Sequence, residues 1–367
     1  MVFLFSNVPY EDFYKEYCMP SKSDNDNIRK FKEMLYKRNT SPDDNTKKII
    51  DWADFEKAFG EHSLDFKLSE KWQYLERYEN FVISFNEYLR KESAKIDYSE
   101  TKKIEDIMNS AMDNFYNIRT GDREAIHSIH QRYNNERQYH FVSFNYTNCL
   151  DRCVEILRKS WNNRKTHTIK PVLHIHGDLD NAMILGVDDP SQIKNPEFAK
   201  DPDVLKEIVK PIQNAENRTT FDNQLNNIIK NSDLICIYGM SIGITDKKWW
   251  NLIAEWLYAS GNHALIILSY EKDYDKRFAF KQQQIASKIL NKFIAYSNLN
   301  ESAMSSIVKR IFIGANNNIF AMKIRRKEPT DIGDELENSI RLLNEANIRN
   351  QNLIQQIDFG LFNSTSL

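Results

Sequence analysis

Three separated apolar runs, each breaking into a polar loop, constrain the fold of this chain more than any other feature. They lie in residues 138–152 (QYHFVSFNYTNCLDR), 172–186 (VLHIHGDLDNAMILG) and 234–250 (LICIYGMSIGITDKKWW). An apolar run of strand length that ends in Asn, Gly, Ser or Asp is typical of a buried parallel strand. In open α/β sheets, ligands bind at the carboxyl edge of such strands, so these loops are the first candidates for function.

The rest of the chain fits this pattern. Residues 25–136 are aromatic-rich and predicted to be helical throughout, whereas strand-like and helix-like segments alternate afterwards. That alternation predicts an α/β fold with a mostly parallel sheet and helices on both faces. Strands are predicted at 139–144, 170–175, 182–187, 233–238 and 263–269, helices at 147–159, 195–230, 246–259 and 273–296, and a final strand or hairpin at 310–324.

Length and composition narrow the class of protein. With 367 residues, the chain is long enough for two units or for one α/β core with a large insertion. A net charge of −2 provides no strong field that would select nucleic acid, so no nucleic-acid partner is expected. The four cysteines lack CxxC spacing and no apolar run reaches membrane-spanning length, which favours a cytoplasmic protein with reduced thiols and no membrane partner.

The C-terminal tail, residues 331–367, has apolar residues at helical three-four spacing interrupted by Asn347 and Asn350. This pattern is compatible with a short coiled coil that joins copies of the chain into a homo-oligomer. A helix packed on its own domain is the alternative, because so short a heptad pattern is marginal by itself.

The loop after the first run offers Asn145 as a candidate functional residue. Its carboxamide is both donor and acceptor, so it could hold a ribose hydroxyl or orient a water, although a role as turn residue or helix cap is the alternative. Thr147 or Asn148 would cap the following helix.

The second run places His174 and His176 on one face of a strand, followed by Gly177. His176 at the strand end could act as a general base, whereas His174 is expected to be structural. No third ligand follows at a recognisable spacing, so no metal is expected.

The third run ends in a small-residue loop containing Gly239, Ser241 and Gly243, and a helix is predicted to begin at Asp246. Such a loop lets backbone N–H groups approach an anion such as pyrophosphate at the helix N-terminus. The G-x-S-x-G spacing also occurs in α/β-hydrolases, but only His263 follows, inside a predicted buried strand, so the hydrolase interpretation is disfavoured.

Together, FNYTNCLDR, HIHGDLDNAMILGVDD and IYGMSIGITDKKWW, preceded by WADFE at residues 52–56, resemble the AbiH family of bacterial abortive-infection proteins. That family is in turn distantly similar to the sirtuin-like, Rossmann-type NAD-binding fold, in which Asn145, the pair His176 and Gly177, and the later Gly239 and Ser241 have counterparts. The resemblance implies a core formed by residues 1–24 and 137–330, an all-helical insertion at 25–136 and a helical tail at 331–367.

By this resemblance, the chemistry would be cleavage of the nicotinamide–ribose bond of NAD, with NAD as substrate and no metal. His176 and Asn145 would be catalytic, and the nucleotide would be held by Asn145, Thr147, Gly177, Gly239, Ser241, Gly243 and Asp246. Loss of NAD would stop an infected cell before the phage matures, in response to a phage-derived trigger.

Two expectations qualify this assignment. Family members usually begin with a strand that runs into Gly-Asn-Gly-Phe-Asp, but residues 1–9 (MVFLFSNVP) contain no glycine, so the first strand and the Gly-rich loop are expected to be missing. The chain would then be shortened at its N-terminus or have lost its nucleotide site. The alternative function is a non-catalytic module that binds a nucleotide or senses a phage component.

Overall fold

The structure is a computed structural model that describes the chain in separate stretches. The predicted tail at 331–367, Ser241 and the distal part of the predicted hairpin at 316–324 lie outside the described residues. The described residues are 2–5, 13, 16–19, 21–40, 56, 59–113, 118, 120–132, 137–161, 167–181, 183–216, 220–240, 242–269 and 278–315.

Seven strands form one sheet in which every described pairing is parallel. The order is β3-β2-β1-β5-β6-β7, and β4 lies beside the carboxyl half of β2. The order therefore runs backward along the chain as far as β1 and forward from β5. The strands are β1 (Val2–Phe5), β2 (Arg137–Ser143), β3 (His167–Ile169), β4 (Leu173–His174), β5 (Leu234–Tyr238), β6 (Ala264–Ser269) and β7 (Ile311–Ala315).

The first strand is present, so the expectation that the chain lacks it is wrong. Val2–Phe5 forms β1 at the centre of the sheet, between β2 and β5. A central strand of a parallel sheet requires apolar residues, because both faces of the sheet are covered, and Val2–Phe5 provides four in a row without any glycine. The segment that follows β1, where a Gly-rich loop would stand, lies outside the described residues.

Helices cover both faces of the sheet, as the alternation predicts. Their bounds are α1 (Asp26–Thr40), α2 (Lys71–Ala94), α3 (Thr101–Asp113), α4 (Thr120–Arg132), α5 (Cys149–Trp161), α6 (Pro202–Ile208), α7 (Lys210–Glu216), α8 (Phe221–Lys230), α9 (Lys247–Ala259), α10 (Ala279–Tyr296) and α11 (Glu301–Ile307).

The alternation of side chains along β5 shows how the two faces are divided. Ile235 and Ile237 pack with α8, α9, α10 and α11 in one cluster, whereas Leu234 and Cys236 pack with α3, α4 and α5 in another. All four side chains are buried, which explains why apolar and polar residues do not alternate along this strand.

The described helices within residues 25–136 pack in two different places. Helices α1 and α2 form an aromatic lobe with α6, centred on buried rings such as Phe31, Phe81 and Phe85. Helices α3 and α4 instead place Met108 and Ile126 against the sheet. The helical character of the described part is as predicted, but only its first part lies in the lobe.

The predicted strand at 182–187 is wrong. Residues 183–187 run without regular structure and share only one isolated bridge, between Val187 and Val209. Their backbone groups bond to a loop and to a helix end instead of to a neighbouring strand, as in the 2.8 Å bonds from Ile184 N to the His176 carbonyl and from Val187 N to the Ile208 carbonyl at the end of α6. Apolar content alone does not distinguish a buried irregular segment from a strand.

No helix within the described stretches is both long and apolar enough to cross a membrane.

Candidate functional site

The strand register brings the three candidate loops to one edge of the sheet. Ser143 at the end of β2 pairs with His174 at the end of β4 and with Phe5 at the end of β1, and Phe5 also pairs with Tyr238 at the end of β5. The loops that follow these strands therefore start at the same level. Because the strand order reverses between β1 and β5, this edge is a topological switch point, where open α/β sheets bind ligands.

The loop after β2 is fixed by short-range hydrogen bonds. The Ser143 hydroxyl accepts from the backbone N–H of Asn145 and donates to its carbonyl, both at 3.1 Å. Tyr146 is buried, and its hydroxyl donates to the Ile184 carbonyl at 3.1 Å. Asn145 is half-buried between these anchors, so its position is set by the backbone.

His174 is held at both ring nitrogens. Nδ1 lies 2.9 Å from the Asn145 carbonyl oxygen and Nε2 lies 2.8 Å from Asp151 Oδ2. Burial alone would lower the pKa of His174, but its hydrogen bond and charge interaction with Asp151 raise that pKa above its ordinary value. With both nitrogens occupied, His174 ties the β2 loop to α5, in agreement with a structural role.

His176 has a different environment. Its ring lies edge-on to Phe144, with centroids 5.3 Å apart, and only 6% of the residue is exposed. Nε2 lies 3.3 Å from Asp246 Oδ1, whereas the buried Nδ1 has no hydrogen-bond partner in the part of the chain that the structure describes. Burial, followed by the positive charge of Lys210, lowers the pKa of His176, although Asp246 opposes this. His176 is therefore a neutral imidazole at pH 7 with one nitrogen unused.

Asp246 connects His176 to a buried cation. Asp246 ends a short 3-10 helix, Ile244–Asp246, and immediately precedes α9. Its Oδ1 lies 3.3 Å from Lys210 Nζ as well as 3.3 Å from His176 Nε2. Burial would raise the pKa of Asp246, but Lys210 and then His176 lower it below its ordinary value, so the carboxylate stays ionised.

Lys210 is the first residue of α7 and is only 3% exposed. The preceding Val209 is extended and bridges Val187, which separates α6 from α7 and directs Lys210 inward. Its Nζ lies 3.0 Å from Glu56 Oε2. Burial would lower the pKa of Lys210, but Asp246 and Glu56 raise it, so the ammonium is retained.

Glu56 and Asp188 are two further acidic groups that act on Lys210. Glu56 is 1% exposed, and its Oε1 accepts a 3.2 Å hydrogen bond from the backbone N–H of Gly186. Burial raises the pKa of Glu56 to about 7, with Lys210 opposing. Burial also raises the pKa of Asp188 to about 6, and its Oδ2 accepts from the backbone N–H of Lys248 at 3.2 Å.

The glycines predicted at the site have two kinds of backbone. Gly177 and Gly239 adopt left-handed conformations, with φ of 72° and 64°; Gly239 permits a turn directly after β5, and Gly177 lies three residues beyond the end of β4. Gly243 is extended, and its carbonyl accepts a 2.8 Å hydrogen bond from Trp250 Nε1. Thr147 is half-buried between the β2 loop and α5. The Ser241 position lies outside the described residues.

Of the residues predicted from sequence, the structure brings His176 and Asp246 into contact and places Asn145 at the same edge. Sequence reasoning missed Glu56, Asp188 and Lys210 as site residues. Glu56 and Asp188 stand inside quoted motifs, WADFE and the HIHGDLDNAMILGVDD run, so a signal existed for them. Lys210 had none, because a lysine in a helical segment is ordinarily exposed. In the described part of the chain, no three His, Cys, Asp or Glu side chains are grouped to hold a metal ion.

Comparison with protein-family models identifies the chain. The model described as "Bacteriophage abortive infection AbiH" matches residues 7–270, which include all three loops and Glu56, Asp188 and Lys210. This chain belongs to the AbiH family. No curated protein and no solved structure gives a match. AbiH membership makes it a bacteriophage abortive infection protein, and the matched region contains the described charged groups Glu56, Asp188, Lys210 and Asp246 of this AbiH chain.

Proposed function

We propose that this AbiH protein is an abortive-infection effector that hydrolyses NAD, or a related nucleotide, at the nicotinamide–ribose bond. The observation that carries the proposal is His176: a buried imidazole with a lowered pKa, whose Nε2 is oriented by Asp246 and whose Nδ1 has no hydrogen-bond partner among the described residues. Asp246 favours the tautomer with hydrogen on Nε2, which leaves a lone pair on Nδ1. A general base requires such a free, oriented nitrogen.

The position of His176 supports a nucleotide as substrate. The strand order, with its reversal between β1 and β5, corresponds to the 3-2-1-4-5-6 order of dinucleotide-binding Rossmann folds. We infer a sirtuin-like, Rossmann-type core in which the nucleotide crosses this edge. Gly239, Ser241 and Gly243 would approach its phosphates, while Asn145 and Thr147 would hold the ribose.

The proposed reaction needs one proton acceptor and no metal. Water attacks the anomeric carbon of the nicotinamide ribose and transfers a proton to His176 Nδ1. The bond between that carbon and the pyridinium nitrogen breaks, and its electron pair stays with nicotinamide, which leaves as a neutral molecule without needing an acid. The transition state is oxocarbenium-like, so the carboxylate of Asp246 near His176 would favour the positive charge that develops on the sugar.

The first test is nicotinamide release from NAD by the purified full-length chain and by a His176→Gln variant. We expect about a 10²- to 10⁴-fold loss of the cleavage rate in the variant, the usual contribution of a positioned base. His127→Ala is the matched control, because His127 is an exposed histidine on α4 and should be silent. Full cleavage by a folded His176→Gln protein would refute the assignment of the base.

The second test measures cellular NAD through a phage infection, in bacteria expressing either form at matched levels. NAD should fall only with the unmutated chain, and protection should be lost with His176→Gln. Protection without any change in NAD would favour the alternative, a module that binds a nucleotide or senses a phage component without cleaving it.

A further inference from the structure

A buried lysine is held against the same carboxylate oxygen that contacts the proposed base. Lys210 Nζ and His176 Nε2 each lie 3.3 Å from Asp246 Oδ1, so these two nitrogens are within about 7 Å of each other. Lys210 is also 3.0 Å from Glu56 Oε2. The order of groups is thus Glu56, Lys210, Asp246 and His176, and each is in contact with the next.

The backbone around Lys210 is fixed independently of these charges. Lys210 N donates to the Val187 carbonyl at 2.9 Å, and Val187 N donates to the Ile208 carbonyl at 2.8 Å. Gly186, next to this bridge, supplies the 3.2 Å hydrogen bond to Glu56. These bonds fix the backbone of Lys210, and the burial of its side chain, which leaves the residue only 3% exposed, keeps the ammonium beside Asp246.

We propose that Lys210 is a positioning residue of the His176 site: it fixes the Asp246 carboxylate toward His176 Nε2 and places a positive charge beside the buried imidazole. The part of this inference that concerns catalysis rests on the proposed function, whereas the contacts among Lys210, Asp246 and His176 are independent of it. A cation near an imidazole disfavours a second positive charge, and a fixed carboxylate selects one tautomer.

Burial of the His176 ring also disfavours its charged form, but the other described groups around the ring do not add a positive charge. Phe144 and Tyr146, from the loop after β2, present aromatic rings to it. Asp222 on α8 favours the protonated form, as Asp246 does. Glu56 and Asp188 act on Lys210, and Asp246 acts on both of them. Among the groups identified as acting on His176, Lys210 alone carries a positive charge that opposes imidazole protonation.

The experiment follows the pH midpoint of the His176 imidazole by NMR in full-length protein labelled at histidine, with His176→Gln used to assign the signals. Lys210→Met should move the midpoint upward, because it removes a positive charge that opposes protonation of the imidazole. The Coulomb energy of two charges about 7 Å apart, at an effective dielectric constant of about 20, corresponds to a shift of about 1 to 2 pH units. The acidic limb of the pH profile for nicotinamide release should move by the same amount.

Lys71→Met is the matched control. Lys71 also pairs with two carboxylates, Asp201 at 3.0 Å and Asp203 at 2.6 Å, but outside this network, so its loss should leave the His176 midpoint unchanged. If Lys210→Met fails to fold, the double variant Glu56→Gln/Lys210→Met removes the buried pair together and should show the same upward shift.

An unmoved midpoint in folded Lys210→Met, or in the folded double variant, would overturn the role of Lys210 even if NAD cleavage is real. A midpoint that moves upward in a protein that releases no nicotinamide would support Lys210 as the group that sets His176 protonation, and would refute the proposed cleavage instead. The experiment therefore tests the role of Lys210 and the proposed NAD cleavage independently of each other.

Discussion

Gly186→Ala should be among the most damaging single-methyl changes in this protein. Gly186 has φ of 137°, a conformation that residues with a Cβ rarely adopt. An added Cβ would lie 2.0 Å from the Ile208 carbonyl oxygen and 2.8 Å from its carbon, which is backbone and cannot rotate away. The segment carrying Gly186 must therefore shift relative to the end of α6.

The size of the effect follows from what that shift breaks. The φ strain alone costs about 1–3 kcal/mol. Separation of the segments would also weaken the 2.8 Å bond from Val187 N to Ile208 O and the 3.2 Å bond from Gly186 N to the Glu56 carboxylate, at about 1–2 kcal/mol each. We expect the free energy of unfolding to fall by about 4 kcal/mol in total.

Urea unfolding, followed by circular dichroism, measures this change. Gly121→Ala is the control, because Gly121 lies in α4 with no atom within 4 Å of an added Cβ, and it should be neutral or stabilising by up to about 1 kcal/mol. A Gly186→Ala protein that loses less than about 1 kcal/mol would show that this backbone position is not constrained as described.

Two further predictions concern the surroundings of the site. Asp151→Asn removes the contact that raises the pKa of His174 in the folded protein. A pKa raised on folding stabilises the protein at pH values below the unfolded pKa of about 6.5, and this stabilisation is lost as the pH rises through the folded pKa. Urea unfolding should therefore show that the variant loses more unfolding free energy at about pH 5.5 than at about pH 8. An equal loss at both pH values would contradict the charged state of His174. Phe85→Ala, at a fully buried ring 5.9 Å from Tyr146, should cost about 3–5 kcal/mol of unfolding free energy, whereas Ile83→Ala on the exposed side of the same helix should cost under about 0.5 kcal/mol. Similar losses for the two variants would contradict the packing of the lobe.

Much of the sheet could be predicted because its strands are apolar on both sides. The predicted strands at 233–238 and 263–269 correspond to β5 and β6, each within one residue at either end. The predicted strand at 182–187 failed because its backbone groups bond to the ends of α6 and α7, and to Glu56, instead of to a strand. Pairing partners are a tertiary property that composition does not encode.

The placement of Asn145 and His176 at this edge was predictable, because each lies two residues beyond the end of a strand. The placement of a side chain that comes from a helix or a distant segment was not predictable. Lys210 begins a two-turn helix, and Glu56 precedes it by more than 150 residues. Only the folded chain places these two side chains 3.0 Å apart.

The burial of Glu56 and Lys210 is itself informative about function. Each charge costs several kcal/mol to remove from water, and a well-packed apolar pair is often as stable as a buried ion pair. Stability alone therefore does not account for placing both groups beneath the carboxyl edge of the sheet. Asp246 gives the link, because one of its oxygens contacts Lys210 and His176 together. If the ion pair controls His176, exchanging Glu56 and Lys210 for Gln and Met should displace the titration of His176 in a protein that still folds, whereas a pair that serves only the fold would leave that titration unchanged.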